Sequence, residues 1–210
     1  MSEALIARAI KKKLIKITPH DLRRWTTDNH KTVDGRPYGG GAGMVLMVEP
    51  ILKAVTALRK LKAQSSKRKI KVIIFSAKGK RITQATARRW AKLDQLILIC
   101  GRYEGIDERV SQYIADEEIS IGDYVLFGGE IPAMVLMEAV TRLIPGAVGK
   151  EESVKNESFS AGFLEHPQYT RPERVKVRGK TRAVPRVLLS GNHKLIEQWR
   201  RKHSKPLQKR

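Results

Sequence analysis

The sequence predicts an α/β fold in which helices cover a parallel β-sheet. Two runs of strand length, at 71–75 and 95–99, are apolar at almost every position, which is typical of strands that are buried on both faces. A helical pattern over 83–93 lies between them. A strand, a helix and a second strand at this spacing predict a βαβ unit and therefore parallel strands.

Two helices are predicted ahead of this unit. Apolar residues recur at helical spacing over 3–13 and, more regularly, over 49–62. Pro50 occupies a first-turn position, where the missing N–H of proline is tolerated. Both segments are therefore expected to cover the sheet.

The alternation of helix and strand continues beyond residue 99. We expect a helix over 106–114, a third strand at 124–126 and a helix from Pro132 to Ile144. Pro145-Gly146 then provides a strong stop signal. Residues 1–145 are therefore expected to form one α/β domain.

The last third of the chain has a different character. Residues 146–168 include a stretch without apolar periodicity, which predicts a linker or lid. The stretch 190–193 is typical of a cap before an amphipathic helix that contains Trp199. Residues 169–210 are therefore expected to form a small helical module, too small for a sizeable core of its own.

The composition favours a polyanionic partner. The chain has 42 lysines and arginines against 21 acidic residues, a formal net charge of +21 over 210 residues. Such an excess creates a positive surface field that attracts nucleic acid, with an anionic membrane surface as the competing interpretation. Cations are densest from Arg171 onward, which predicts a surface that contacts phosphates.

Several other classes of protein are disfavoured. No segment approaches the roughly 18 consecutive apolar residues of a membrane span, and residues 1–8 lack a signal-peptide pattern, so we expect a cytoplasmic protein without a membrane association. The five histidines show no metal-ligand spacing. Gly79-Lys80 does not complete a P-loop, and the glycines of 101–105 lack the dinucleotide-binding spacing. Cys100, the single cysteine, follows an apolar run and is predicted to be a buried thiol rather than a nucleophile.

Three glycine-bearing loops contain the main functional signal. They span 38–43, 100–107 and 121–130, and each adjoins an apolar run. Backbone without Cβ atoms can adopt positive φ and lie flush against a flat ligand or a phosphate. Ordering such a glycine-rich segment costs conformational entropy, so a purely structural turn would rarely contain so many glycines. A flexible linker is the alternative for the first loop. We interpret the three loops as one ligand pocket lined by backbone.

These loops, together with the stretches 166–173 and 189–193, closely resemble the bacterial tRNA (guanine-N1)-methyltransferase family. That family belongs to the SPOUT class of S-adenosylmethionine-dependent enzymes, whose parallel sheet contains a trefoil knot. The resemblance implies a trefoil-knotted SPOUT catalytic domain over 1–145, an interdomain linker or lid over 146–168 and a basic tRNA-binding module over 169–210. Compared with the family, the first strand is expected to be missing and the C-terminal module to be truncated.

The resemblance also implies a cleft for S-adenosylmethionine, held mainly by backbone groups of the glycine loops. Glu104 is in addition the candidate ligand for the Mg²⁺ that the family uses. The implied cofactor-binding residues are Phe75, Ser76, Gly101, Tyr103, Glu104, Gly105, Ile121, Gly122, Asp123, Tyr124, Val125, Leu126, Gly128, Gly129 and Pro132.

The implied reaction is transfer of the sulfonium methyl group to N1 of guanosine 37, just 3′ of the anticodon. N1 is protonated in neutral guanine, so a base has to remove that proton, and a fixed cation lowers the energy of the charge that develops on O6. By motif, Glu157 is the base, where the family usually has aspartate, and Arg142 is the cation. A surface salt bridge for Arg142 and a solvated linker charge for Glu157 are the structural alternatives.

The resemblance further implies tRNA as the partner, no DNA, and a homodimer with composite sites. Two competing functions are a non-catalytic RNA-binding protein and a related knotted methyltransferase that acts on another nucleotide. The implied substrate-binding residues are Asp34, Tyr38, Gly39, Gly43, Arg171 and His193.

Overall fold

The computed structural model describes residues 4–60, 68–148, 157–159 and 162–207. The chain divides into two compact units, Met1–Gly149 and Lys150–Arg210. Much of the predicted linker, from 149 to 156, lies outside the described residues. Within the described ranges, no helix is both long enough and apolar enough to span a membrane.

The first unit is built on a sheet of three parallel strands in the order β4-β3-β5. These strands are β3 (Ile70–Arg81), β4 (Gln95–Ile99) and β5 (Glu117–Ser120). The central strand β3 pairs with β4 over five consecutive positions, from Ile70↔Gln95 to Ile74↔Ile99. The first two predicted strands and their parallel arrangement are therefore confirmed.

The prediction of a third strand at 124–126 is wrong. The third strand is β5, an edge strand that begins with Glu117 and Glu118. Carboxylates are acceptable there because Lys71 and Arg89 pair with Glu117. Residues 124–126 belong to an irregular loop in which Val125 is 88 % exposed, so their apolar character does not arise from burial in the sheet.

Five α-helices of the first unit occupy the predicted regions, each shorter than predicted. Thr83 and Asp107 cap two of them by accepting hydrogen bonds from the backbone N–H groups of Thr86 and Arg109. The bounds are Ala4–Lys11 (α1), Val48–Lys60 (α2), Gln84–Trp90 (α3), Glu108–Tyr113 (α4) and Glu130–Thr141 (α5), and a short 3-10 helix spans Leu22–Trp25.

The sheet separates two apolar clusters, because side chains of β3 alternate between its faces. Val72 and Ile74 belong to one cluster, which also includes Ile51 of α2 and Val110 of α4. The opposite cluster contains Ile73 and Phe75 together with Trp90 of α3 and Leu136 of α5. These two layers hold the carboxyl ends of the strands in place.

An antiparallel pair of short strands, β1 (Asp34–Gly35) and β2 (Val45–Leu46), brackets the first glycine loop. Val33 and Leu46 at its base are buried in the same cluster as Ile51. The loop is therefore anchored at both ends, which argues against a flexible linker.

The second unit contains strand pairs as well as helices, whereas the sequence predicted helices only. The helices are α6 (Arg186–Leu189) and α7 (His193–His203), and the Asn192 side chain caps α7 as predicted by accepting from the Leu195 N–H at 3.2 Å. Two antiparallel pairs join β6 (Phe163–Leu164) to β9 (Lys205–Pro206), and β7 (Arg174–Val177) to β8 (Lys180–Ala183).

Candidate functional site

A cavity of about 510 Å³ lies at the carboxyl ends of the three parallel strands. Crevices at this edge of a parallel sheet are the usual ligand sites of open α/β folds. All the predicted cofactor-binding residues except Asp123 line it, namely Phe75, Ser76, Gly101, Tyr103, Glu104, Gly105, Ile121, Gly122, Tyr124, Val125, Leu126, Gly128, Gly129 and Pro132. The structure thus brings together residues that are up to 57 positions apart in the chain.

Backbone hydrogen bonds connect the three glycine loops. The N–H of Glu104 donates to the carbonyl of Met44 at 3.1 Å, and the N–H of Leu46 donates to the carbonyl of Gly105 at 3.0 Å. The N–H of Gly129 donates to the carbonyl of Gly101 at 2.8 Å. The central loop is therefore bonded to both others, and the three act as one assembly.

At two of the loop glycines, neighbouring atoms lie too close to leave room for a side chain. A Cβ at position 129 would lie 2.7 Å from the Cα of Cys100, a backbone atom that cannot move aside easily. A Cβ at position 43 would lie 2.4 Å from the Cγ of Glu104, and the φ of Gly43 is +82°, a value that favours glycine. These contacts explain why side chains are missing where the loops meet.

A bulge of β3 forms another wall of the cavity. Phe75 and Lys80 both pair with Ile119 of β5, so the residues between them loop out of the ladder. Ser76, Ala77 and Lys78 of this bulge line the cavity. The sequence analysis missed Lys78, although the glycine that follows it at the strand end was a signal for such a bulge.

The cavity is lined by more carboxylates than cations, in a chain with a large positive charge. Glu104, Glu108 and Glu118 line it, against Lys78 and Arg102. Lys78 contacts Glu108 at 2.5 Å and Glu118 at 3.9 Å, and the hydrogen bond to Glu108 raises the pKa of Lys78. This balance favours a ligand with positive charge and disfavours a phosphate group.

Cys100, which follows β4 and precedes the cavity-lining Gly101, is a half-buried thiol. Its burial, with the nearby charge of Glu130 as a smaller cause, raises the pKa of Cys100 to about 11. The thiol is therefore neutral at physiological pH, as expected for a structural cysteine rather than a nucleophile.

Asp123 does not line the cavity, although it was predicted to bind the cofactor. Its carboxylate forms an ion pair with the guanidinium of Arg81 at the end of β3, and the hydrogen bond to Asp123 raises the pKa of Arg81. The side chain of Asp123 is 84 % exposed. Its neighbours Gly122 and Tyr124 line the cavity, whereas the charge of Asp123 remains in solvent.

Arg142, the predicted cation of the reaction, does not line this cavity. Arg142 follows the last residue of α5 and is exposed, whereas Pro132 near the start of the same helix lines the cavity. Ten residues of helix span about 15 Å. Glu157 is half-buried in the second unit. Their catalytic roles stay predictions.

The predicted substrate-binding residues fall into two groups. Asp34, Tyr38, Gly39 and Gly43 belong to the β1–β2 segment that is bonded to the cavity loops, and Tyr38 is fully exposed. Arg171 and His193 belong to the second unit, where both are exposed and His193 is the first residue of α7.

Glutamates line the cavity, but none of them belongs to a preformed cluster of metal ligands. Among the described residues, no group of three or more histidine, cysteine or acidic side chains is placed to hold a metal ion. Glu104 lines the cavity with its carboxylate beside Gly43. A metal at this place would therefore depend on one protein carboxylate and on oxygen atoms from water or substrate.

Comparison with known proteins identifies the family. The family model described as tRNA (Guanine-1)-methyltransferase TrmD matches residues 1–210. A protein of Heliobacterium modesticaldum is 48% identical over 204 residues, which cover 97% of this chain and 74% of the relative. A protein of Carboxydothermus hydrogenoformans is 50% identical over 204 residues, 97% of this chain and 76% of the relative.

A third relative, from Ruminiclostridium cellulolyticum, is 49% identical over 204 residues, 97% of this chain and 84% of that protein. All three relatives are named tRNA (guanine-N(1)-)-methyltransferase. The resemblance seen in the glycine loops is thus confirmed along the whole chain, and the chain belongs to the tRNA (guanine-N1)-methyltransferase TrmD family.

Proposed function

We propose that this protein transfers the methyl group of S-adenosylmethionine to N1 of guanosine 37 in tRNA and releases S-adenosylhomocysteine. Membership of the TrmD family and the names of its relatives support this activity. The structural observation behind it is a cavity at the strand ends that the second and third glycine loops line, with the segment of the first loop hydrogen-bonded to the second. A non-catalytic RNA-binding protein would have no need of such a cavity.

The residues of the cavity fit S-adenosylmethionine. A volume of about 510 Å³ lies within the range of roughly 300–1,000 Å³ for small-molecule sites. Phe75, Leu126 and Pro132 supply apolar surface, and the glycine loops supply backbone donors and acceptors. The acidic lining suits a ligand with sulfonium and ammonium charges. When bound, this cofactor supplies an electrophilic methyl group.

The chain's own residues would then manage the proton and the charge of guanine. Glu157 would accept the N1 proton as general base. Arg142 would stabilise the negative charge that develops on O6. The β1–β2 segment with Tyr38 would hold the base beside the cofactor, since it is bonded to the cavity loops.

We further propose a homodimer with composite sites. Arg142 lies at the end of α5 away from its own cavity, so a second subunit would have to supply it. Ile131, Met134 and Val135 on α5 are 41–51 % exposed, which is apolar surface suited to a partner.

Mixed dimers test this arrangement. A Gly129→Val chain, which has a blocked cavity, would be combined with an Arg142→Ala chain. Each is inactive alone, but a mixed dimer has one site with an intact cavity and an intact Arg142. Recovery of about a quarter of the parental activity is expected after equimolar refolding. No recovery would mean that Arg142 acts within its own subunit.

Three further features belong to the proposal. The sheet would be knotted, as in the SPOUT class, and the close contact of Gly129 with Gly101 supports a tight crossing of loops there. Mg²⁺ would be held through Glu104 and water, since this ion commonly takes only one or two protein carboxylates. An enzyme that acts on tRNA rather than DNA would work in the cytoplasm.

The activity is tested with radiolabelled S-adenosylmethionine and tRNA transcripts that differ only at position 37. We expect label in transcripts with guanosine 37, at N1 after nucleotide mapping, and none when adenosine replaces it. Label at another nucleotide would favour a related methyltransferase of different specificity. Binding of tRNA without any transfer would favour the non-catalytic alternative.

A further inference from the structure

A lysine stands between two carboxylates on the wall of the cavity. The Nζ atom of Lys78 lies 2.5 Å from a carboxylate oxygen of Glu108 and 3.9 Å from one of Glu118. All three residues line the cavity. They belong to β3, α4 and β5 respectively, so this group, called here the charged triad, connects three segments of the wall.

The backbone fixes the position of Lys78 independently of its side chain. Lys78 belongs to the bulge of β3 between Phe75 and Lys80, and its N–H donates to the Oγ of Ser76 at 3.1 Å. A Cβ at position 79 would lie 2.6 Å from the backbone nitrogen of Ile119, so the bulge runs directly against β5. A substitution of the lysine side chain should therefore leave this part of the wall in place.

The positive charge of Lys78 is directed at carboxylates of the cavity itself. The other cation of the lining, Arg102, is paired at 2.7 Å with Glu130, which is not a lining residue. Among the residues that the structure describes, Lys78 is thus the one lining cation that is paired with lining carboxylates. Its removal would leave the charge of the lining glutamates unopposed.

Glu118 is the carboxylate of the charged triad that solvent screens least. Its side chain is 21 % exposed, against 54 % for Glu108. The hydroxyl of Ser111 donates to Oε2 of Glu118 at 3.0 Å, whereas Lys78 faces Oε1. Because partly buried charges are screened less than exposed ones, the field of Glu118 in the cavity depends on Lys78.

The stability of the fold gives little reason for this lysine. Exposed ion pairs contribute little to folding, and the side chains of Lys78 and Glu108 are both more than half exposed. The charge can act on a ligand instead. A molecule that fills a cavity of about 510 Å³ lies within the Debye length of roughly 10 Å in 0.1 M salt.

The donor and the by-product of the proposed reaction differ by one positive charge. The bond between sulfur and the methyl carbon breaks and its electron pair stays on sulfur, while an electron pair of N1 forms the new bond and the N1 proton passes to the base. The positive charge on sulfur is thus lost during transfer. Negative charge around the donor stabilises it more than it stabilises the transition state, so the donor binds more tightly and reacts more slowly.

We propose that Lys78 is a specificity-determining residue of the methyl-donor site. By offsetting Glu108 and Glu118, it limits how strongly the cavity prefers the donor with its sulfonium charge to the by-product without that charge. The donor is consequently bound less tightly and transfers its methyl group faster. This inference rests on the proposed function, because it takes S-adenosylmethionine as the ligand of the cavity.

Four variants of the full chain test the proposal. Lys78→Gln removes the cation, Lys78→Arg retains one, and Lys78→Gln/Glu108→Gln removes one charge of each sign. Lys80→Gln is the matched control, because Lys80 is an exposed lysine of the same strand that does not line the cavity. Calorimetry measures the dissociation constants for S-adenosylmethionine and S-adenosylhomocysteine. Single-turnover assays at saturating donor and tRNA measure the transfer rate.

Lys78→Gln should raise the ratio of the by-product dissociation constant to the donor dissociation constant several-fold, mainly through tighter donor binding. Its single-turnover rate should fall several-fold, so that KM for the donor and kcat decrease together. The double variant and Lys78→Arg should stay near the parent in both measurements, and Lys80→Gln should match it. Thermal unfolding of all four variants should remain near that of the parent.

An unchanged ratio in Lys78→Gln would overturn the proposal. A parallel loss of affinity for both ligands would overturn it too, since that result is expected of a purely structural ion pair. A higher ratio with a parental transfer rate would overturn the link to transfer. If the parent protein binds both ligands but transfers no methyl group to tRNA, the proposed function fails, whereas the two affinities still decide the role of Lys78. If it binds neither ligand, both fail.

Discussion

The backbone of Gly129 lies against Gly101, with the N–H of Gly129 donating to the carbonyl of Gly101 at 2.8 Å. This bond joins the loop that follows β5 to the loop that follows β4, at the mouth of the cavity. A Cβ at position 129 would be 2.9 Å from the Gly101 nitrogen as well as 2.7 Å from the Cα of Cys100. The contact leaves no room for any side chain.

Gly129→Ala should therefore separate the two loops. The φ of Gly129 is −79°, a value that alanine adopts readily, so the cost is steric and we expect about 1–3 kcal/mol of lost stability. Because the same substitution displaces the loops that line the cavity, affinity for S-adenosylmethionine should fall at least about tenfold. A factor of ten corresponds to roughly 1.4 kcal/mol of binding free energy. Isothermal titration calorimetry and thermal unfolding measure both effects. Gly35→Ala is the control, because no atom lies within 4 Å of its added Cβ, and a matching loss there would contradict this explanation.

Glu117 should stabilise the sheet in a pH-dependent manner. It contacts Lys71 at 2.7 Å and Arg89 at 2.8 Å, and accepts from the Trp90 indole at 3.3 Å. Burial alone would raise the pKa of Glu117, but the hydrogen bonds from Lys71 and Trp90 and the nearby positive charges outweigh it and lower that pKa below 4.5. A lowered folded-state pKa gives stability that is fully present above the unfolded value and is lost as pH falls.

Glu117→Gln should therefore lose about 1–2 kcal/mol at pH 7, where the ionised carboxylate and its partners are intact. The difference from the parent protein should decrease below pH 4.5. Urea denaturation over this pH range measures it. Glu49→Gln breaks an exposed pair with Lys53 and should change little. A Glu117→Gln difference that is the same at pH 7 and at pH 3 would disprove the ionic role.

The acidic lining of the cavity should discriminate between the methyl donor and its by-product. S-adenosylmethionine carries one more positive charge than S-adenosylhomocysteine, so a carboxylate such as Glu118 stabilises the donor more. Glu118→Gln should weaken donor binding several-fold more than by-product binding, as measured by calorimetry. Glu138→Gln, an exposed position on α5 away from the lining, is the control. An unchanged ratio of the two affinities in Glu118→Gln would show that the lining does not respond to that charge.

Glu157 should be essential to methyl transfer and unimportant for cofactor affinity. If it removes the N1 proton, Glu157→Gln should lower the single-turnover rate at least about a hundredfold. Glu157→Asp keeps a carboxylate and should stay within about tenfold of the parent. Glu165→Gln, an exposed acid of the same unit, should behave as the parent does. An unchanged rate in Glu157→Gln would place the base elsewhere, with Glu104 as the next candidate.

The sequence predicted those parts of the fold that have a local pattern. The strands of 71–75 and 95–99 were found because both are apolar at almost every position, as strands that are covered on both faces are. The edge strand at Glu117–Ser120 was missed because ion pairs, rather than burial, accommodate its carboxylates. The hairpin at 174–183 was missed although Val175 and Val177 alternate ahead of the Arg178-Gly179 turn, since its many cations hid the pattern.

The sequence predicted which residues line the candidate site better than it predicted how they are arranged. Glycines mark where backbone approaches closely, so the three loops were recognised from the sequence alone. The contribution of Lys78 was not, because it depends on a four-residue bulge that only strand pairing creates. The ion pair of Asp123 with Arg81 depends likewise on a contact between distant segments, which no local pattern encodes.

The central claim is that two separate glycine loops form one cofactor site, to which the segment of the first loop is hydrogen-bonded. Hydrogen–deuterium exchange with and without S-adenosylmethionine tests it most directly, because protection is resolved by segment. We predict protection of 100–106 and of 121–129 together, with a smaller effect at 44–46 through the bonds from Leu46 to Gly105 and from Glu104 to Met44. Protection confined to one loop, or located only in residues 162–207, would contradict the account.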